Sequence, residues 1–194
     1  MSRSLHDAVS AEAFEERYCE NPDPWNYRAS AYEREKYEIT IDSLARKHYA
    51  SAFEPACSVG ELTALLAPRC TRLLATDFSP TAVERARERV ADLTHVRVEI
   101  GDLRKQLPSG RFDLIVFSEI GYYFDLETLA SLGRRLADSL DSHGELIAVH
   151  WLGHSRDHLL HGDEVHGALR RTLPLRHRFS DHHPLFRVDC WLKG

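Results

Sequence analysis

Glu54-Pro55-Ala56-Cys57-Ser58-Val59-Gly60, followed by the apolar run Leu73-Leu74-Ala75-Thr76 and the carboxylate of Asp77, decides the fold of this chain. The first stretch reads as the end of a strand turning into a helix, and the second as the next strand. An acid about 20 residues beyond such a strand–turn–helix is how α/β folds grip a ribose through its paired hydroxyls. The carboxylate accepts two charge-assisted hydrogen bonds from the diol. Asp77 therefore points to an adenosine-bearing cofactor.

Outward from this stretch, strand and helix alternate. Strands are expected at 52–54, 72–77, 96–100, 112–118 and 145–151, with the Leu114-Ile115-Val116-Phe117 run suiting a strand buried on both faces. The intervening helices are expected at 61–67, at 79–91 with Ser79 as cap and Pro80 at its first position, and at 126–140 before a turn at 141–144. A helix over 162–172 then precedes two strands, 175–179 and 185–192, whose short polar connection over 180–184 makes them antiparallel neighbours. Repeated βα units predict a mostly parallel sheet with helices on both faces. Upstream, 11–20 reads as a helix with Phe14 and Tyr18 on one face, Asn21-Pro22-Asp23-Pro24 breaks it, and a second helix is expected over 30–47. A single domain results, with a helical cap at 1–49, a cofactor-binding core at 50–151, and an acceptor flap with hairpin at 152–194.

The bulk composition sets bounds. A chain of 194 residues buries a real core, and 43% hydrophobic with 28% charged residues is ordinary for a globular protein. The net charge of −5 argues against nucleic acid or an anionic membrane as partner. No apolar run is long enough to span a membrane, and the start, Met1 to Asp7, lacks the apolar core of a signal peptide. Cys19, Cys57, Cys70 and Cys190 lack CxxC spacing, so free thiols in the cytoplasm are expected, in a monomer or weak dimer.

The closing hairpin is foreign to an ordinary dinucleotide-binding domain. From Phe53 onward the chain resembles the class I S-adenosylmethionine-dependent methyltransferases. The resemblance implies a Rossmann-like sheet of seven strands, mostly parallel with a C-terminal antiparallel hairpin, and S-adenosylmethionine as cofactor. In that family the first turn reads acid-x-Gly-x-Gly-x-Gly. Here Glu54, Ala56, Ser58 and Gly60 hold the four positions, so only the last glycine remains, although Ala and Ser are the next smallest residues. The resemblance further implies that Asp77 binds the ribose, Phe78 flanks the adenine, and Asp102, beside Leu103, accepts from the adenine amino group. The strand ending in Ser118-Glu119 matches the fourth-strand motif, whose end opens on the cleft. NAD(P) remains an alternative, but the acids Glu54 and Glu61 around the turn suit a sulfonium and an ammonium better than a pyrophosphate.

Asn21-Pro22-Asp23-Pro24-Trp25-Asn26-Tyr27 with Tyr32-Glu33 and Lys36-Tyr37, and later His150-Trp151 with Gly162-Asp163-Glu164-Val165-His166, resemble the nodulation protein S family. That resemblance covers about residues 13–192. It implies N-methylation of an amine, the deacetylated amino sugar of a chito-oligosaccharide. Such chemistry needs an unprotonated nitrogen in line with the methyl donor and a base at the mouth of the site. Glu119, His150 and Tyr122 are the expected catalytic residues, and Trp25, Tyr27, Tyr123, Trp151 and His166 the expected acceptor wall. The spacing of His154 and His158 would suit a metal only on a helix, and with no cysteine nearby and no paired acids following in ligand spacing, no metal is expected. O-methylation of another small metabolite, or a cofactor-binding domain without catalysis, are the competing readings.

Overall fold

The computed structural model describes residues 10–194; the reading of Met1 to Asp7 lies outside them. Two helices lead the chain, α1 (Ala11–Glu20) and α2 (Ala31–Asp42), each started by a serine whose hydroxyl accepts a backbone N–H three residues on, Ser10 from Ala13 and Ser30 from Glu33. The expected 30–47 helix stops at Asp42. Beyond it the backbone N–H of Ala45 is taken by the buried carboxylate of Glu145, and the Arg69 guanidinium takes the carbonyls of Ile41, Arg46 and Lys47. The groups a helix would pair internally are paired elsewhere.

The core then runs β1 (Ala52–Pro55), α3 (Glu61–Leu66), β2 (Leu73–Asp77), α4 (Pro80–Arg89), β3 (Val96–Ile100), β4 (Phe112–Ser118), α5 (Leu126–Ser139), β5 (Leu140–Trp151), α6 (Gly162–Thr172), β6 (Arg176–His182) and β7 (Phe186–Leu192). The strands form one seven-stranded sheet in the order β3-β2-β1-β4-β5-β7-β6. All pairings from β3 to β5 are parallel, and β7 enters antiparallel between β5 and β6. Two boundaries differ from the sequence reading. The segment 141–144 belongs to β5, which absorbs it through a register shift against β4 and a left-handed His143 (φ 62°). The hairpin turn is tighter than 180–184, because β6 continues to His182 and His183 N–H donates to Phe186 O.

Residues on β4 alternate between two cores, as a doubly covered strand must. Ile115 and Phe117 pack with α5 and α6, while Leu114 and Val116 pack with Tyr37, Tyr49 and Leu66 on the other face. The carboxyl ends of β1, β2, β3, β4 and β5 all emerge at one edge of the sheet. α1, the 21–30 segment and the 152–161 loop close over that edge.

Candidate active site

The turn after β1 keeps a backbone shape that its side chains disfavour. Ala56 (φ 56°), Ser58 (φ 50°) and Gly60 (φ 82°) are all left-handed, the conformation that glycine adopts freely and other residues adopt at a cost of about 1 kcal/mol. A side chain at Gly60 would meet Ala86 Cα at 3.0 Å, so this glycine is required twice over. Ser58 recovers something, since its hydroxyl accepts from Tyr18 on α1 at 2.6 Å. Asp77, at the end of β2, ties the turn down: Oδ2 accepts Ser58 N–H and Oδ1 accepts Ser79 N–H, both at 3.0 Å. Burial raises its carboxyl to about 6, with those backbone donors working the other way.

Asp77, Ala56 and Ser58 open on a cleft at the carboxyl ends of the strands, walled by Phe14, Tyr18 and Trp25 on the other side. Phe78, Asp102, Leu103 and Glu119 line the same cleft. Phe14 of α1, expected from the sequence only to share a helix face with Tyr18, covers it edge-on against Phe78 with ring centroids 5.5 Å apart. Arg104 holds Asp102 through Nε at 3.1 Å, and although burial opposes it, that guanidinium lowers the carboxyl below its ordinary value. Glu54 and Ser118 line a smaller adjoining cavity, again with Glu119. Glu54 Oε2 is buried without a hydrogen-bond partner among the described residues, and burial pushes its carboxyl up to about 8. A buried acid with a vacant lone pair beside a cavity is what a cationic ligand group would complete.

Glu119 also faces a third cavity, with Trp25, Tyr27, Tyr32, Tyr122, Tyr123 and Trp151 around it. Its backbone is left-handed (φ 55°), which swings the carboxylate from the end of β4 into the junction of all three spaces. Three donors fix it. Oε1 accepts from Lys36 Nζ and from Trp151 N–H, each at 3.0 Å, and Oε2 from the Tyr122 hydroxyl at 2.5 Å. Lys36 is itself buried and bridges Glu119 to Glu33, 3.1 Å away. Burial alone would lower the Lys36 ammonium, but the two carboxylates outweigh it and raise it, so the lysine stays charged. Lys36 and Glu33 were quoted in the sequence only as part of a motif. Their i,i+3 spacing was the available signal, and the missing information was that β4 would bring Glu119 to meet them.

Two expected site residues lie elsewhere. His150 is fully buried behind Gly121 rather than at the cleft mouth: Nε2 accepts Gly121 N–H at 3.0 Å and Nδ1 lies 3.1 Å from His166 Nε2. Burial, then His166, drives its imidazole well below its ordinary value, so it is neutral, but neither nitrogen is free. His166 is not in the acceptor wall. It is buried with Nδ1 3.1 Å from Asp189 Oδ2, and Asp189 is held in turn by Arg187 at 2.9 Å. This His150–His166–Asp189 chain fixes the 121–123 turn that presents Tyr122. The histidines that do face the third cavity are His154 and His158, on the 152–161 loop and not on a helix. Among the described residues no group of three or more His, Cys, Asp or Glu side chains is placed to hold a metal ion, and no helix is long and apolar enough to cross a membrane.

A seven-stranded sheet of this order, with a buried acid ending β2 and the ligand cleft at the strands' carboxyl ends, defines the class I methyltransferase fold. Within that class, the chain belongs to the nodulation protein S family, whose model matches residues 9–168. It is 34% identical over 146 residues to nodulation protein S of Bradyrhizobium diazoefficiens, covering 74% of this chain and 68% of that protein. To the Sinorhizobium fredii protein it is 32% identical over 145 residues, covering 74% of this chain and 62% of that relative's length. Among solved structures, a Pseudomonas syringae protein assigned as a methyltransferase is 40% identical, with a TM-score of 0.73 over 84% of this chain and all (100%) of that one. The N-methyltransferase NodS of Bradyrhizobium japonicum WM9, solved with S-adenosyl-L-homocysteine, shares the fold at a TM-score of 0.83 and 23% identity, over 95% of this chain and 98% of that one.

Proposed function

We propose that the chain transfers a methyl group from S-adenosylmethionine to an amine, with the free amino group of a deacetylated chito-oligosaccharide as acceptor. The position of Glu119 carries this reading: one carboxylate stands where the cofactor cleft and an aromatic-walled cavity meet. Asp77 would hold the ribose, Phe14 and Phe78 the adenine with Asp102 at its amino group, and Glu54 the cofactor's ammonium. When bound, that cofactor supplies an electrophilic methyl on a sulfonium.

The chain's own residues do the rest. Glu119, fixed in place by Lys36, the Trp151 N–H and Tyr122, attracts an ammonium into the far cavity and orients its nitrogen toward the cofactor side. Trp25, Tyr27 and Trp151 offer flat faces to a sugar ring, and aromatic faces also favour a cation. Tyr122 and Tyr123 exclude water from the junction. The core at 50–151 supplies Asp77, Asp102 and Glu119, Phe14 covers the cofactor side, and the flanking segments add Trp25, Tyr27 and the 152–161 loop to the acceptor side. The test is methyl transfer from labelled cofactor to deacetylated and to fully acetylated chito-oligosaccharides. Label on the deacetylated oligomer alone is expected; label on both, or on neither, overturns the proposal.

A further inference from the structure

An ammonium is no nucleophile, so an acceptor nitrogen must lose a proton before it can attack. Glu119 is poorly placed to take that proton, because three donors already occupy its two oxygens. His150 has both nitrogens engaged away from the cavity. Of the two imidazoles that face the acceptor cavity, His154 lies against His161, and His158 is held on the site's own Tyr122. His158 stacks flat on Tyr122, with centroids 3.7 Å apart and planes 14° from parallel, and Tyr123 meets it edge-on at 5.2 Å. The backbone N–H groups of the next two residues, Leu159 and Leu160, donate to Tyr122 O at 2.8 and 3.2 Å, which fixes the loop to the turn that carries Tyr122. His158 Nδ1 is buried without a hydrogen-bond partner among the described residues, so stacking positions the ring and Nε2 is the nitrogen left to meet an acceptor.

We infer that His158 is the general base of the methyl transfer, a role that rests on the amine reading above. The acceptor ammonium gives one proton to the neutral imidazole, which becomes imidazolium. The freed nitrogen lone pair forms the new N–C bond while the S–C bond breaks and sulfur keeps that electron pair. Glu119 holds the charge of the incoming ammonium, and Tyr122 joins the two groups, its hydroxyl on Glu119 and its face on His158. The charged and titratable surroundings suit this role. Burial lowers the His158 imidazole below its ordinary value and His161 acts the same way, while Asp157 and Glu119 oppose them. Glu33 and His154 share the cavity. The ring is therefore neutral at neutral pH and able to accept.

The test uses the whole chain, glucosamine oligomers as acceptor, and the variants His158→Phe, which keeps the stacking, and His158→Gln, which keeps polarity. Binding of S-adenosylhomocysteine, read as a shift in melting temperature, selects variants that remain folded. The expected result is a loss of kcat/KM on the order of 100-fold at pH 7. That loss shrinks steadily as pH rises, because bulk solvent then deprotonates the amine and the base is no longer needed. A side chain that only packed on Tyr122 would give a loss independent of pH. Either variant that binds S-adenosylhomocysteine and matches the wild type at every pH overturns the role of His158 alone. A wild-type chain that methylates no glucosamine oligomer overturns it together with the amine reading.

Discussion

The cofactor cleft and the acceptor cavity meet at Glu119 yet are built in opposite ways. On the cofactor side, the acids sit at or near the carboxyl ends of sheet strands, and Asp77 and Asp102 each accept a backbone N–H from two residues on. Asp77 is tied by Ser79, two residues on, and by the neighbouring turn at Ser58. On the acceptor side, the walls come from residues far apart along the chain. Trp25 and Tyr32 arrive from the N-terminal segment, and Trp151, His154 and His158 from the 152–161 region. Lys36 bridges 83 positions to reach Glu119. A site made of local turns survives much change elsewhere, whereas a site made of long-range meetings can be retuned by either flanking segment.

This contrast can be broken most forcefully at Lys36. Removing a buried cation between two carboxylates leaves both uncompensated, a loss of about 3–5 kcal/mol. Lys36→Ala should therefore lower the urea midpoint sharply, and restoring the original net charge of the cluster with Glu33→Gln in the same chain should recover part of it. An unchanged midpoint would mean that the acceptor side is not held by this charge bridge.

The cofactor side should respond to pH instead. Glu54 is raised to about 8, so the ligand-free protein carries that proton at pH 7. Because the raised value belongs to the folded state, its contribution to stability is present in full below about pH 4.5 and fades as pH rises through about 8. An ammonium placed beside Glu54 would favour the ionised form, so binding of S-adenosylhomocysteine at pH 7 should release up to one proton. Calorimetry in buffers of different ionisation enthalpy reads this directly, and Glu54→Gln should abolish it. Binding without proton release in the wild type would separate Glu54 from the ligand's ammonium.

The smallest effects sharpen the turn itself. Ala56→Gly relieves a left-handed residue, a gain of up to about 1 kcal/mol offset in part by the entropy of glycine. Ser58→Gly relieves the same strain but deletes the partner of the Tyr18 hydroxyl, worth about 1 kcal/mol, so it should be the less stable of the two. Thermal melts of the pair check the order. The reverse order would show that the Tyr18–Ser58 contact does not hold α1 down.

The same local-versus-distant contrast explains what the sequence made legible. Asp77, Gly60, Asp102 and the seven strands could be read because strand, turn and helix signals lie within a few residues of the groups they position. The left-handed turn after β1 was harder to see, since Ala56 and Ser58 mask a shape that glycine would have advertised. The end of α2 depended on Glu145, about a hundred positions away, and no local stop signal marks Asp42. His150 was placed at the cleft because it lies near the end of β5. The alternation of a strand puts adjacent residues on opposite faces, and here Trp151 faces the acceptor while His150 faces the α6 core. His158 shows in the sequence only as the i,i+4 partner of His154, and its use follows from its stacking on Tyr122.

The central claim is that one carboxylate, Glu119, couples the two cavities. Steady-state methyl transfer by Glu119→Gln to a glucosamine oligomer, alongside its affinity for S-adenosylhomocysteine, tests it most directly. The account predicts kcat/KM for the acceptor lowered by about 10- to 100-fold, the worth of a charged hydrogen bond, with cofactor affinity changed less than about twofold. Unchanged turnover, or a loss traced wholly to weaker cofactor binding, would contradict it.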